Sequence, residues 1–411
     1  MSDDDGGKSA LPTGSQLTAL DDAFREDPYA ILRQLRERDP VHEDRELGRW
    51  FITDHDMVRS VVRDADFCVD ASKAAEGSFA RRIAGADAGS RPSMLGLDDP
   101  DHRRLRSFVS RAFAPGTVEA LRPRIERIVD GVTERLQGST SFDLIGEFAS
   151  PIPFLVLADM LGVEPAARGA FRSWADAKVQ EFDPYRSAAT AARIAEADHG
   201  LRAYFGRAIA KRRAAPTDDL ISDLVRANEA GETLSEEEIV TMCNLLIVAG
   251  IVTTTDLIGN GMLALLRNPE QCGRLRERPH LIVAAVEEML RYDSPVIQTG
   301  RIATRDVEFG GRRIARGASI SLSLGAANRD PRVYRDPDKF DIERADTHHQ
   351  SFGGGVHLCL GHALARLESQ IAIPRLLRAF PRLRLAPGPV VRKRLPVLHG
   401  CEELRVLTGA A

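Results

Sequence analysis

The chain has 411 residues, 43% hydrophobic and 28% charged, with a formal net charge of −4; this excludes an intrinsically disordered chain and gives no basis for a nucleic-acid partner. The five cysteines, Cys68, Cys243, Cys272, Cys359 and Cys401, are scattered and odd in number, so neither a disulfide framework nor a zinc ribbon is indicated. No run reads as roughly 18 apolar residues spanning a membrane, and the acidic, polar start lacks a signal-peptide pattern. The expectation is a flexible segment over 1–16, then one cytoplasmic domain over 17–411 with no membrane association.

In chain order, Arg49–Thr53 reads as a strand, and Asp101–Arg106 opens a helix with His102 and Arg106 four apart on one face. From Leu105 to Arg291 the pattern is helix after helix; Phe142–Gly162 and Asp198–Arg213 are amphipathic examples. A capping box, Ser235 with Glu238, starts a helix that runs to Arg267, before Asn268 and Pro269. At 1.5 Å per residue it spans about 50 Å, enough to cross a domain. Its middle, Leu245–Gly250, is apolar almost all round, as in a helix buried on every side. A further helix covers Leu281–Tyr292, with Glu288 and Arg291 spaced to pair. Arg301–Phe309, Ile320–Leu324 and Arg394–Leu398 are the later strand candidates. The fold class is therefore mainly α with small β-sheets, in one large domain with a long central helix.

The strongest local signal is Ser351-Phe-Gly-Gly-Gly-Val-His-Leu-Cys-Leu-Gly361. Consecutive glycines let backbone approach a flat ligand closely, and the periodicity Leu360, Leu364, Leu367, Ile371 begins a helix directly afterwards. Cys359 thus stands at a helix start, where the positive helix end favours thiolate over thiol. A buried small cysteine is the plain alternative. Phe352, Gly355, His357, Cys359 and Gly361 resemble, at every fixed position, the haem-binding signature of the cytochrome P450 family, with histidine at 357 where arginine is commoner. Glu288-Met-Leu-Arg291 is similar to that family's buried ExxR pair, and Phe340 and Arg344 match the segment that completes its triad. These motifs occur in the family's order and span residues 98–368.

The resemblance implies a haem b whose iron takes Cys359 as axial thiolate, Phe352 shielding the sulfur, and His102, Arg106, Arg301 and His357 holding the propionates. It implies a structural role for Glu288, Arg291 and Arg344. On the distal side, Ala249-Gly250-Ile-Val252-Thr253-Thr-Thr-Asp256 is similar to the family's Ala-Gly-x-acid-Thr. Gly250 and Thr253 fit; Val252 stands where an acid relays protons. Water at Thr253, Thr254 with Asp256 from the next turn, or a substrate group would have to replace it. Val252→Asp is expected to leave binding intact and change coupling.

Walls over 70–97, 171–199, Asn244–Val248, Pro295–Gln298 and Val397–His399 are implied, with Asn244, Val248, Val252, Val296, Ile297, Gln298, Leu398 and His399 as pocket residues. The implied activity is O₂-dependent oxidation of a small organic molecule in specialised metabolism, with electrons from a separate ferredoxin and ferredoxin reductase. Arg103, Arg104, Arg111 and Arg366 are candidates for their docking face. Oxidative coupling, desaturation or peroxide-driven oxidation on the same haem is an alternative. So is a non-catalytic haem-binding module that recruits other enzymes.

Overall fold

The computed structural model describes residues 11–84, 93–183, 186–229 and 234–409. The helices that build the site are α1 (Asp101–Ser110), α2 (Pro151–Met160), α3 (Arg168–Lys178), α4 (Ala188–Ala214), α5 (Glu236–Arg267), α6 (Ile282–Tyr292) and α7 (His362–Ala379). The largest apolar cluster lies among them and includes Leu157, Phe205, Ile258, Val286 and Leu376. α5 runs through it, packed on α2, α4, α6 and α7.

Both ends of α5 follow from the sequence. Ser235 Oγ accepts from the Glu238 N–H at 3.2 Å while the Ser235 N–H donates to Glu238 Oε2 at 2.7 Å. Asn268 ends the helix and Pro269 opens the next one. By length and composition alone, α5 is apolar enough to cross a membrane, contrary to the sequence reading, but 61% of its most apolar window is buried inside the protein. It is a core helix here.

A five-stranded sheet forms from β1 (Val41–Asp44), β2 (Arg49–Ile52), β3 (Phe67–Cys68), β4 (Gln298–Ala303) and β5 (Ser319–Ser323), in the order β1-β2-β5-β4-β3. Only β2 and β5 run parallel; the register pairs Arg49 with Ser319 and Arg301 with Ile320. Ion-paired, fully buried Asp44 and Arg49 pin the β1–β2 corner at 2.9 Å.

Four expectations need correction. The reading of 1–16 as flexible fails for its described part: Thr13 Oγ1 and the Gly14 N–H both donate to Asp44, and Gly14 is buried; residues 1–10 lie outside the described residues. Phe142–Gly162 is not one amphipathic helix. Ser141–Asp143 is a strand paired with Arg405–Leu407, Leu144–Ala149 a π-turn capped by Asp143, and α2 is buried nearly all round. Pro151 supplies no N–H to join the two helical pieces. Arg301–Phe309 is interrupted, because Asp306 accepts from the Arg316 N–H and turns Val307–Phe309 into a separate ladder with Arg312–Ile314. In Arg394–Leu398 only Leu398 pairs, in one bridge to Val296; Pro396 lacks the donor a ladder needs.

Candidate active site

The proximal scaffold starts from α6. Arg291 donates to both oxygens of Glu288, through Nε at 2.7 Å and Nη2 at 2.8 Å. Its remaining donors reach the carbonyls of Asn328, Pro337 and Lys339 at 3.0, 2.8 and 3.2 Å. Arg344 Nε adds a 3.1 Å bond to Glu288, and the Asp341 N–H another at 2.9 Å. The i, i+3 pair is thus fully enclosed rather than a surface bridge. Sequence reasoning missed the knot beside it: Asn328 Nδ2 donates to Ser294 Oγ and Ser351 Oγ, each at 2.8 Å, and Asn328 Oδ1 accepts from the Gln350 N–H at 2.7 Å. That knot fastens the start of the cysteine loop to α6. No local pattern signals it, because its members lie far apart in sequence.

The loop itself needs its glycines. Gly353 and Gly355 sit at φ 66° and 65°, and a Cβ at Gly355 would fall 2.4 Å from the Val62 carbonyl oxygen. The Cys359 N–H donates to the Phe352 carbonyl at 3.0 Å, and the Gly361 N–H points at its sulfur. Gly361 caps α7. Even so, burial raises the thiol's pKa, outweighing Gly361 and the charges of Arg106 and Arg366. The Gly361 N–H and the two arginines pull the other way, toward the thiolate that a bound metal ion would take as ligand.

Above the loop, the His102 and His357 rings approach to 4.1 Å between centroids. Burial, then His102 and Arg301, push His357 down to about 4. Arg301 is 6% exposed and donates to the Gly300 carbonyl at 2.7 Å, and Arg106 donates to the Leu358 carbonyl at 2.6 Å. Among the described residues neither arginine has a carboxylate ion partner. Burying the Arg301 cation without a counter-anion is costly, and a ligand bearing two carboxylates would relieve that cost and could also meet half-buried Arg106. The donor set therefore fits haem.

The distal wall is α5. In the middle of this mostly buried helix, Ala249 is exposed and Asn244, Leu245, Val248, Gly250 and Thr253 are half-buried, so this stripe faces an internal space. Thr253 Oγ1 donates to the Ala249 carbonyl at 2.8 Å. Gly250 packs closely on α2: a Cβ there would meet Leu157 Cδ1 at 2.5 Å. Asp256 is fully buried, with Oδ1 2.7 Å from Lys393 Nζ and Oδ2 without a partner among the described residues. Burial raises its pKa against the pull of Lys393. Gly400 leaves room for that carboxylate.

Of the expected pocket residues, Val248, Val252, Val296 and Leu398 come together, joined by Val179, Leu395 and Val397. Val179 and Leu395 carried no distinguishing signal in the sequence. Asn244 Oδ1 is buried with no partner among the described residues. Three of the expected pocket residues, Ile297, Gln298 and His399, are engaged by the protein itself. Ile297 packs with Leu17, Phe24 and Ala326. Gln298 donates to the Pro396 carbonyl and accepts from Arg49, and His399 Nε2 lies 3.3 Å from Asp293. Since Val252 packs among Val179, Leu395 and Leu398, Val252→Asp would bury a carboxylate and cannot be the innocent substitution expected. Parts of two expected walls, 85–92 and 184–185, lie outside the described residues. The supposed docking arginines are largely committed: Arg103 to Asp99, Arg104 to Glu238 and Arg366 to Glu287, leaving Arg111 exposed.

A family model described as Cytochrome P450 matches residues 196–391. The chain is 43% identical over 408 residues to cytochrome P450 107B1 of Saccharopolyspora erythraea, covering 96% of this chain and 98% of the relative. It is 37% identical over 394 residues to the polyketide biosynthesis cytochrome P450 PksS of Bacillus subtilis, covering 93% and 96%. The crystal structure of P450BioI in complex with hexadec-9Z-enoic acid ligated acyl carrier protein superposes with a TM-score of 0.86 at 38% identity, covering 94% of this chain and 99% of that one.

Proposed function

Because the chain belongs to the cytochrome P450 family, haem-thiolate monooxygenases, we propose that Cys359 ligates the haem iron and that the chamber beside α5 presents a small organic molecule for oxidation in specialised metabolism. The observation that carries this reading is the cluster of buried His102 and Arg301 with half-buried Arg106 and His357, directly beside the cysteine loop, neither arginine having a carboxylate partner among the described residues. Bound haem supplies reductive activation of O₂. The protein's part is to seat, shield and protonate. Val179, Val248, Val252, Val296, Leu395 and Leu398 exclude water from the chamber. Asn244 offers its amide oxygen, without a partner among the described residues, to a hydroxyl or amine on the substrate.

Protons pass by a displaced route in this reading. Asp256 lies one helical turn beyond Thr253 and Val252, fully buried past the end of the cavity stripe. Its Oδ2, without a partner among the described residues, holds the proton, and Lys393, whose side chain is 14% exposed, exchanges it with solvent. Asp256→Asn with Lys393→Gln keeps the shape of the pair and removes its charges. Product formed per reductant consumed is expected to fall roughly tenfold or more, with substrate binding unchanged; undiminished coupling rejects this route.

Electrons come from a ferredoxin and its reductase, and the setting is cytoplasmic. A substrate tethered to a carrier protein is the second reading, favoured by the solved neighbour bound to an acyl carrier protein. The test is a titration of the haem-loaded protein with free and carrier-linked acyl compounds, followed by turnover with ferredoxin and reductase. A spin-state change and a product with one added oxygen are expected. A product without added oxygen would point to coupling or desaturation. Absence of any spin change or product across the panel would defeat the enzyme reading.

A further inference from the structure

Two acids stand side by side on α6, and they face different partners. Glu288 holds Arg291 and Arg344, as described. Glu287 turns to the cysteine loop and accepts from Arg366 Nε at 2.6 Å and Nη2 at 2.8 Å. Its Oε2 also lies 3.2 Å from His349 Nε2. The tautomer of His349 is fixed by the chain, since the Ser351 N–H donates to Nδ1 at 3.2 Å and leaves Nε2–H for Glu287. Burial alone raises the Glu287 carboxyl, but Arg366 and His349 reverse this and bring it to about 2. The carboxylate is therefore charged across the working range.

Arg366 is laid flat by this arrangement. Its guanidinium carbon lies 4.5 Å from the Phe352 ring centroid, and Nη1 is 3.1 Å from His362 Nδ1. Phe352 in turn accepts the Cys359 N–H through its carbonyl. A cation on a shielding ring next to a thiolate lowers the sulfur's electron donation to a metal, as hydrogen bonds to such ligands do.

We propose that Arg366 is a positioning residue that tunes Cys359: Glu287 and His349 hold its charge against the Phe352 ring, where it tempers the thiolate rather than meeting a redox partner. The proposal rests on Cys359 being the haem ligand. Holoprotein carrying Arg366→Gln, Arg366→Lys or Glu287→Gln separates the two ideas through the haem reduction potential, the reduced carbon-monoxide spectrum and the affinity for ferredoxin. Arg366→Gln is expected to shift the ferric–ferrous equilibrium about tenfold toward ferric, which for one electron is about 59 mV more negative. Glu287→Gln removes the neighbouring negative charge and shifts it the other way. Arg366→Lys restores part of the potential, because an ammonium keeps the charge without the two-pronged bond or the stacking.

Opposite signs for the two neutral variants, with the red-shifted carbon-monoxide band retained, are the result that a purely structural brace would not produce. Unchanged potentials overturn the proposal, whether or not ferredoxin affinity falls. Same-sign shifts in the two variants also overturn it. Absence of the red-shifted band in the unmodified protein would defeat the ligand assignment instead, and so is distinguishable.

Discussion

Glu288→Gln is expected to cost about 3–5 kcal/mol of stability, the usual penalty for removing one partner of a buried ion pair. Both side chains of the Glu288–Arg291 pair are 0% exposed. Glutamine keeps one acceptor but loses the charge, so Arg291 stays buried with a cation uncompensated and Arg344 loses its carboxylate as well. A net stability of about 5–15 kcal/mol leaves little margin for that loss. The segment most exposed to it is 328–344, whose carbonyls at Asn328, Pro337 and Lys339 are organised around Arg291. Urea unfolding of the variant should show a lower midpoint and the purified protein a reduced haem content. Arg291→Lys should behave similarly, since an ammonium cannot satisfy Glu288 and three carbonyls together. Arg344→Gln should be milder, because Arg291 remains to balance Glu288. An unchanged midpoint for Glu288→Gln would show that the pair is not a foundation of the proximal side.

That pair also illustrates what could be read from the chain. An i, i+3 spacing places Glu288 and Arg291 together wherever the helix lies, and the Ser235–Glu238 box marks its own helix start, because both depend on neighbours within one turn. The cysteine loop was legible for a similar reason: Gly353 and Gly355 adopt positive φ, which the sequence declares by having no side chain there. What was lost depends on distance along the chain. Lys393 meets Asp256 across 137 positions and Asn328 meets Ser351 across 23; no local period encodes either. Gln298 and His399 misled because polarity near a pocket was taken as ligand recognition. In fact Arg49, Pro396 and Asp293 already satisfy them. Asn244 differs from those two, since its buried amide oxygen has no partner among the described residues. Polarity in a chamber wall identifies a contact only once the protein's own partners have been counted.

Cys359→Ser is expected to abolish the strongly red-shifted Soret band of the reduced, carbon-monoxide-treated protein and to reduce monooxygenation to background. A serine hydroxyl remains close to neutral where a thiolate would bind, and it cannot push electron density toward iron. Haem should still associate, more weakly, because His102, Arg106, Arg301 and His357 are untouched by the change. The other cysteines make the control informative. Cys68 and Cys401 are buried thiols pushed up to about 11 by desolvation. Cys243 and Cys272 are raised by burial as well and pack in the main core. None of the four lies on the glycine loop or keeps accessible surface as Cys359 does. Cys272→Ala should therefore leave the band in place while costing some packing. If Cys359→Ser kept the band, iron would have to bind a buried thiol off the glycine loop, and the propionate assignment would have to be redrawn with the ligand. If the band vanished along with the haem itself, the thiolate bond would be dominating retention, and the cations would be orienting the group more than holding it.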